Sequence, residues 1–132
     1  MDITWRYVKQ LDDPKIIKDF LANNNIVLPA ELVEIMEKYN GGRPSENSIV
    51  TETKREYVFK SLLSYNNNDK ETIYSFYLDI FKEKEWFPFA TDAAGNFLCY
   101  DLKNNKYVLY NHETNQGELI IEMMGEKCNH AL

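Results

Sequence analysis

Residues 87–123, FPFATDAAGNFLCYDLKNNKYVLYNHETNQGELIIEM, decide the fold. Apolar and polar residues alternate there in four bursts, Phe87–Ala90, Asn96–Leu102, Tyr107–His112 and Glu118–Met123. A period of two is that of a strand with one buried face. Between the bursts lie Asp92-Ala93-Ala94-Gly95-Asn96, Lys103-Asn104-Asn105-Lys106 and Thr114-Asn115-Gln116-Gly117, each holding residues that tolerate positive φ, as short hairpin loops require. Four strands joined in this way predict an antiparallel meander.

Upstream, the period lengthens to that of a helix. Asp13-Pro14 offers a capping carboxylate and a preset φ, Ile16, Ile17, Phe20 and Leu21 follow at helical spacing, and Asn23-Asn24-Asn25 closes a helix over roughly 14–24. Leu28-Pro29-Ala30-Glu31 opens a second helix, with Leu32, Ile35, Met36 and Tyr39 on one stripe, and Asn40-Gly41-Gly42 stops it. Ser48–Thr51 and Tyr57–Leu63 are β-branched and aromatic and predict two further strands. Asn66-Asn67-Asn68-Asp69 predicts a loop that caps a third helix near 69–84, with Ile73, Tyr74, Tyr77, Leu78 and Phe81 on one face as core rather than ligand cage. The expected architecture is α+β: one domain over 1–132, an antiparallel sheet of five to six strands, and two to three helices packed on it.

Composition narrows the function classes. The 132 residues, 44% hydrophobic and 14% aromatic, suffice for one self-supporting core, so neither a metal nor a disulfide staple is needed. The net charge is −6, with residues 67–132 carrying eleven acids against six bases, which opposes phosphate-backbone binding and makes nucleic acid an unexpected direct ligand. A basic protein partner would be steered toward this half. Cys99 and Cys128 form no CxxC pair and fit reduced thiols in the cytoplasm. The start, Met1–Arg6, lacks the basic and apolar regions of a signal peptide, and no stretch has the length of a membrane span, so neither secretion nor membrane insertion is expected.

No motif carries chemistry. His112 and His130 sit outside any HExxH or GxSxG context, no glycine-rich phosphate cradle precedes a helix, and Asp92–Asn96 lacks the ligand spacing of a calcium loop. Cys99 and His112 on neighbouring strands are a conceivable nucleophilic pair whose register the sequence leaves open, with a buried structural cysteine the favoured reading. Asp92 and Asp101 are expected to bind turn amides rather than to act as an acid–base pair. No catalytic residue, metal site or cofactor is therefore expected.

Two segments carry a resemblance. Leu28-Pro29-Ala30-Glu31-Leu32 followed by Ile35–Pro44, with Tyr39-Asn40-Gly41-Gly42-Arg43-Pro44 at its end, is similar to the helix and aromatic-Asn-Gly-Gly-x-Pro turn of the SUKH superfamily. Pro88-Phe89-Ala90, Asp92-Ala93-Ala94-Gly95-Asn96 and the following strand resemble that superfamily's proline-aromatic-Ala strand, Asp-x-x-Gly-Asn turn and next strand. The resemblance covers about 14–123 and implies helices packed on an antiparallel sheet. It implies architectural roles for Pro29, Tyr39, Asn40, Gly41, Gly42, Pro44, Pro88, Phe89, Asp92, Gly95 and Asn96, and supplies no catalytic residue.

Bacterial members of the superfamily are immunity proteins that neutralise a partner toxin, often a nuclease. The resemblance therefore implies a cognate toxin as partner, with a regulatory or scaffolding module and a small-ligand-binding domain as the alternatives. Acids and tyrosines of the second half, Tyr100, Asp101, Tyr107, Tyr110, Glu113, Glu118 and Glu122, are the expected contacts with a basic nuclease surface. Many relatives carry a further C-terminal amphipathic helix, whereas Glu118–Cys128 leaves room for a short turn at most. An exposed strand edge there could pair two copies, so the chain is expected to be a monomer or a weak homodimer, with Lys103 and Lys106 available to blunt the edge.

Overall fold

The computed structural model describes residues 3–77, 81 and 85–128. Along the chain run β1 (Trp5–Arg6), α1 (Ile16–Asn23), α2 (Ala30–Lys38), β2 (Arg43–Pro44), β3 (Ser48–Thr51), β4 (Glu56–Leu62), α3 (Ile73–Phe76), β5 (Trp86–Asp92), β6 (Phe97–Asp101), β7 (Lys106–Asn111), β8 (Gln116–Met123) and β9 (Glu126–Lys127). The α+β class, the meander and the first two helices follow the sequence expectation.

Helix boundaries follow local chemistry. Asp13 Oδ1 accepts the Lys15 amide at 2.9 Å, so it shapes a turn and α1 starts at Ile16, later than the expected residue 14. Asn25, at φ +56°, takes the left-handed conformation past the helix end. α2 stops as expected: Gly41 adopts φ +70° and the Gly42 amide turns back to the Tyr39 carbonyl at 2.7 Å.

The third helix departs from expectation. Its described part begins at Ile73, because Thr72 first forms a parallel bridge with Ser64 and the Ser64 amide bonds the Glu71 carbonyl. Extended backbone pairing thus claims the residues expected to start the helix. Leu78 lies outside the described residues, while Ile73, Tyr77 and Phe81 are buried as expected.

The main sheet runs β3-β4-β5-β6-β7-β8-β9, every pair antiparallel. It also closes on itself. β3 pairs with β8 through Ile49↔Met123, Val50↔Glu122 and Thr51↔Ile120, giving a barrel-like ring. The strand edge expected near residues 118–128 is therefore occupied, by β3 on one side of β8 and by β9 at Glu122 and Met123. β9 is itself a correction: beyond the expected turn, Met124 (φ +53°) and Gly125 (φ +78°) reverse the chain and add a short strand.

Directly opposed residues of an antiparallel pair share a face. Phe97 and Tyr110 are such a pair, and Phe76 and Phe81 cover them with ring centroids 4.9 to 5.2 Å apart. Elsewhere α1 brings Phe20 against Tyr65, Tyr74, Tyr77 and Phe87. Ile17, Leu21, Leu32 and Met36 complete the helical contribution to the core, where each fully buried large side chain contributes roughly 1.5–3 kcal/mol.

Candidate partner interface

β5, β6 and β7 each end on an Asp or Asn, and each uses it in the same way. Asp92 Oδ1 accepts the Ala94 and Asn96 amides at 3.0 and 2.6 Å, and its Oδ2 accepts the Asn96 side-chain amide at 3.0 Å. Asp101 Oδ1 accepts the Lys103 and Asn104 amides, both at 3.0 Å, and Asn111 Oδ1 accepts those of Glu113 and Thr114 at 2.9 and 3.2 Å. Burial pushes the Asp101 carboxyl up, but the donated hydrogen bonds outweigh it and hold the group below its ordinary value. Asp92 and Asp101 thus organise turns, as their sequence setting predicts.

The tyrosines belong to the same device. Tyr100 and Tyr110 precede Asp101 and Asn111, and their hydroxyls reach Asn105 and Asn115 Oδ1 at 3.3 and 2.6 Å. Both asparagines hold positive φ, +56° and +60°. A Tyr-Asx-x-x-x-Asn pattern, Tyr100–Asn105 and again Tyr110–Asn115, was the available signal, and the sequence reading missed it. Tyr100, Asp101 and Tyr110 are all buried in consequence.

The remaining candidate contacts lie apart. Glu113 stands in the β7–β8 turn with its side chain 80% exposed, its carboxylate 3.9 Å from His112 Nε2. Glu118, four residues before Glu122 on β8 and so about 13 Å away along the strand, is the hub of a separate cluster. Its Oε1 accepts the Thr51 and Thr53 hydroxyls at 3.1 and 2.5 Å, its Oε2 accepts Tyr57 at 2.9 Å, and Arg55 Nη1 lies 3.9 Å off. Burial raises the Glu118 pKa, while the Thr53, Tyr57 and Thr51 hydroxyls and the Arg55 charge together bring it below the ordinary value. Tyr107 is half-buried against Phe89 and Tyr100, and burial, with Cys128, Tyr100 and Glu31 nearby, pushes its hydroxyl up to about 12.

Cys99 faces Val108 across the β6–β7 pair rather than His112, which lies beyond the end of β7, so register dissolves the conceivable nucleophilic pair. Burial drives the Cys99 thiol well above its ordinary value and, with the Glu122 charge, takes Cys128 to about 11, so both stay protonated near neutrality. His112 is instead a brace: Asn96 donates to Asp92, which turns Asn96 Oδ1 toward His112 to accept the backbone amide and Nδ1–H at 3.2 and 2.8 Å. Among the described residues no group of acids, histidines and cysteines is placed to hold a metal ion.

The segment that ends α2 centres on Asn40, which is 1% exposed. Its amide donates to the Lys9 carbonyl and Ser64 Oγ at 2.9 and 3.0 Å, and its Oδ1 accepts the Tyr65 amide at 2.9 Å. Tyr39 stacks on Trp5 with centroids 4.8 Å apart, and Pro44 pairs with Trp5 across β1–β2. A Cβ on Gly42 would meet the Tyr39 carbonyl at 2.8 Å and Val8 at 3.0 Å, which reserves that position for glycine. The stretch that ends α2 therefore also locks the N-terminal arm to the segment that follows β4. A family model for SMI1 / KNR4 (SUKH-1) matches residues 13–124.

The chain belongs to the SUKH-1 family. No curated protein and no solved structure matches it. Within this SUKH-1 domain, Pro29 sits at the start of α2, Phe89 is buried under Tyr107, Pro88 lies opposite Cys99 where the β5–β6 register shifts, and Gly95 gives the hairpin turn its φ of +86°. No helix among the described residues is long and apolar enough to cross a membrane.

Proposed function

We propose that this SUKH-1 domain is an immunity protein that binds and neutralises a cognate bacterial toxin in the cytoplasm by direct contact, with a basic nuclease domain as the partner. SUKH domains are known as immunity-protein and interaction domains, and membership of that family is the observation that carries the reading. The acid excess of residues 67–132 supports the choice of partner: a nuclease holds its phosphate backbone in a basic cleft, and carboxylates on a rigid hairpin surface complement such a cleft. Exposed Glu113 and half-buried Glu122 supply the steering charge, and Tyr107 supplies amphipathic ring surface. Tyr100, Asp101 and Tyr110 act one step back, holding the β6–β7–β8 hairpins in shape, while Glu118 ties β8 to Thr51, Thr53 and Tyr57.

The test is a pull-down from the native host with tagged protein at two salt concentrations. A basic toxin encoded beside this chain, captured more weakly at high salt and lost on Glu113→Lys with Glu122→Lys, is the expected result. Capture of housekeeping regulators insensitive to those reversals would replace immunity with the regulatory reading.

A further inference from the structure

A groove of about 420 Å³ runs between the N-terminal arm, the Gly41–Arg43 turn, β4 and the 68–71 loop. Its size lies in the range of small-ligand sites, roughly 300–1,000 Å³. Three cations of this acidic chain line it: Lys9, Arg43 and Lys70. None of the three is in an ion pair among the described residues, whereas Glu71 is paired with Lys60 Nζ at 2.9 Å; Asp69 accepts only the neutral Ser64 hydroxyl, so three cations face one carboxylate that no cation pairs. The groove therefore has positive charge to spare.

A second observation points the same way. Ser61, only 6% exposed, forms part of the groove wall, and its hydroxyl has no hydrogen-bond partner among the described residues. A hydroxyl without a protein partner on a cationic groove is a donor left open for an acceptor brought by a ligand. The cationic wall is built rather than incidental. Gly41 at φ +70° leaves its Cβ position open for the Lys9 stem, whose Cγ would lie 3.2 Å from a Cβ there, and Arg43 lies 5.3 Å from the ring centroid of Tyr7, which stands at the rim.

We infer that this groove binds a small phosphomonoester of about nucleotide size, its phosphate held by Lys9, Arg43, Lys70 and the Ser61 hydroxyl and its remaining body lying against Tyr7. A dianionic phosphate offers three terminal oxygens to three cations and a hydroxyl, more acceptor capacity than one carboxylate provides. The inference is independent of the toxin partner and stands or falls by its own test.

Amide chemical shifts of the full chain, followed by NMR at constant ionic strength, test it with inorganic phosphate, adenosine monophosphate, adenosine and succinate as probes. Saturable shifts confined to Lys9, Gly41, Arg43, Ser61 and Lys70 are expected with phosphate and more tightly with the monophosphate, and none with adenosine. Arg43→Ala should weaken monophosphate binding about tenfold. Ser61→Ala should weaken it too while leaving the thermal midpoint unchanged, since the hydroxyl supports nothing in the fold. Absence of saturable shifts with the monophosphate, equal binding of adenosine or succinate, or undiminished binding by both variants would overturn the assignment.

Discussion

The Tyr110 hydroxyl donates to Asn115 Oδ1 at 2.6 Å across the β7–β8 turn, and Tyr100 repeats the contact with Asn105 one hairpin earlier at 3.3 Å. In each case a strand tyrosine grips the residue that takes positive φ, so the side chain one place before the strand's end also fixes the reversal. The meander is thus held by two copies of one local motif, with the Asp92–Asn96–His112 brace beside them.

Asn115→Ala should cost about 1–3 kcal/mol, combining the lost hydrogen bond with an alanine forced to positive φ. Asn115→Gly, which relieves the backbone but not the bond, should cost less. Urea unfolding of both variants checks the order; an equal loss for the two would remove the conformational half of the argument.

Glu118 predicts a pH dependence. Its folded pKa lies below the unfolded value of about 4.3, so its stabilisation is complete above that value and is lost as pH falls through the lower, folded pKa. Thermal midpoints of the native chain and Glu118→Gln should differ at neutral pH and converge in acid. A gap that stays constant down to the folded pKa would show that the carboxylate's charge is irrelevant to the Thr51–Thr53–Tyr57 cluster.

Gly117 is required by close approach rather than by φ. A Cβ there would lie 2.5 Å from the Trp86 ring and 2.7 Å from Val108. Gly117→Ala should destabilise by about 1–3 kcal/mol through overpacking. Trp86→Leu in the same chain should recover part of that loss; additive losses in the double-mutant cycle would refute the contact.

Thiol labelling should follow burial. Cys99 should react only as fast as the domain unfolds, and Cys128 earlier but still slowly at mildly alkaline pH. Mass spectrometry of labelled peptides across a urea series gives the order, and rapid native labelling of Cys99 would contradict its placement between β5 and β7.

The period-two bursts over 87–123, the helical stripes ending at Asn23–Asn25 and Asn40–Gly42, and the turn roles of Asp92 and Asp101 were legible in the sequence because they depend on residues a few positions apart. The closure of β3 on β8 joins Ile49 to Met123, and the Asn40 knot joins Lys9 to Ser64 and Tyr65. Neither has a local signature, since register and long-range polar partners are selected only when distant segments compete for the same edge. For the same reason seven acids and tyrosines that look alike in sequence separated in space. Tyr100, Asp101, Tyr110 and Glu118 were drawn into hydrogen bonds within the fold, and Glu113 was left on the surface. Composition set the sign of the surface charge, and tertiary packing decided which charges face solvent, because a buried carboxylate or hydroxyl must find partners while an exposed one need not.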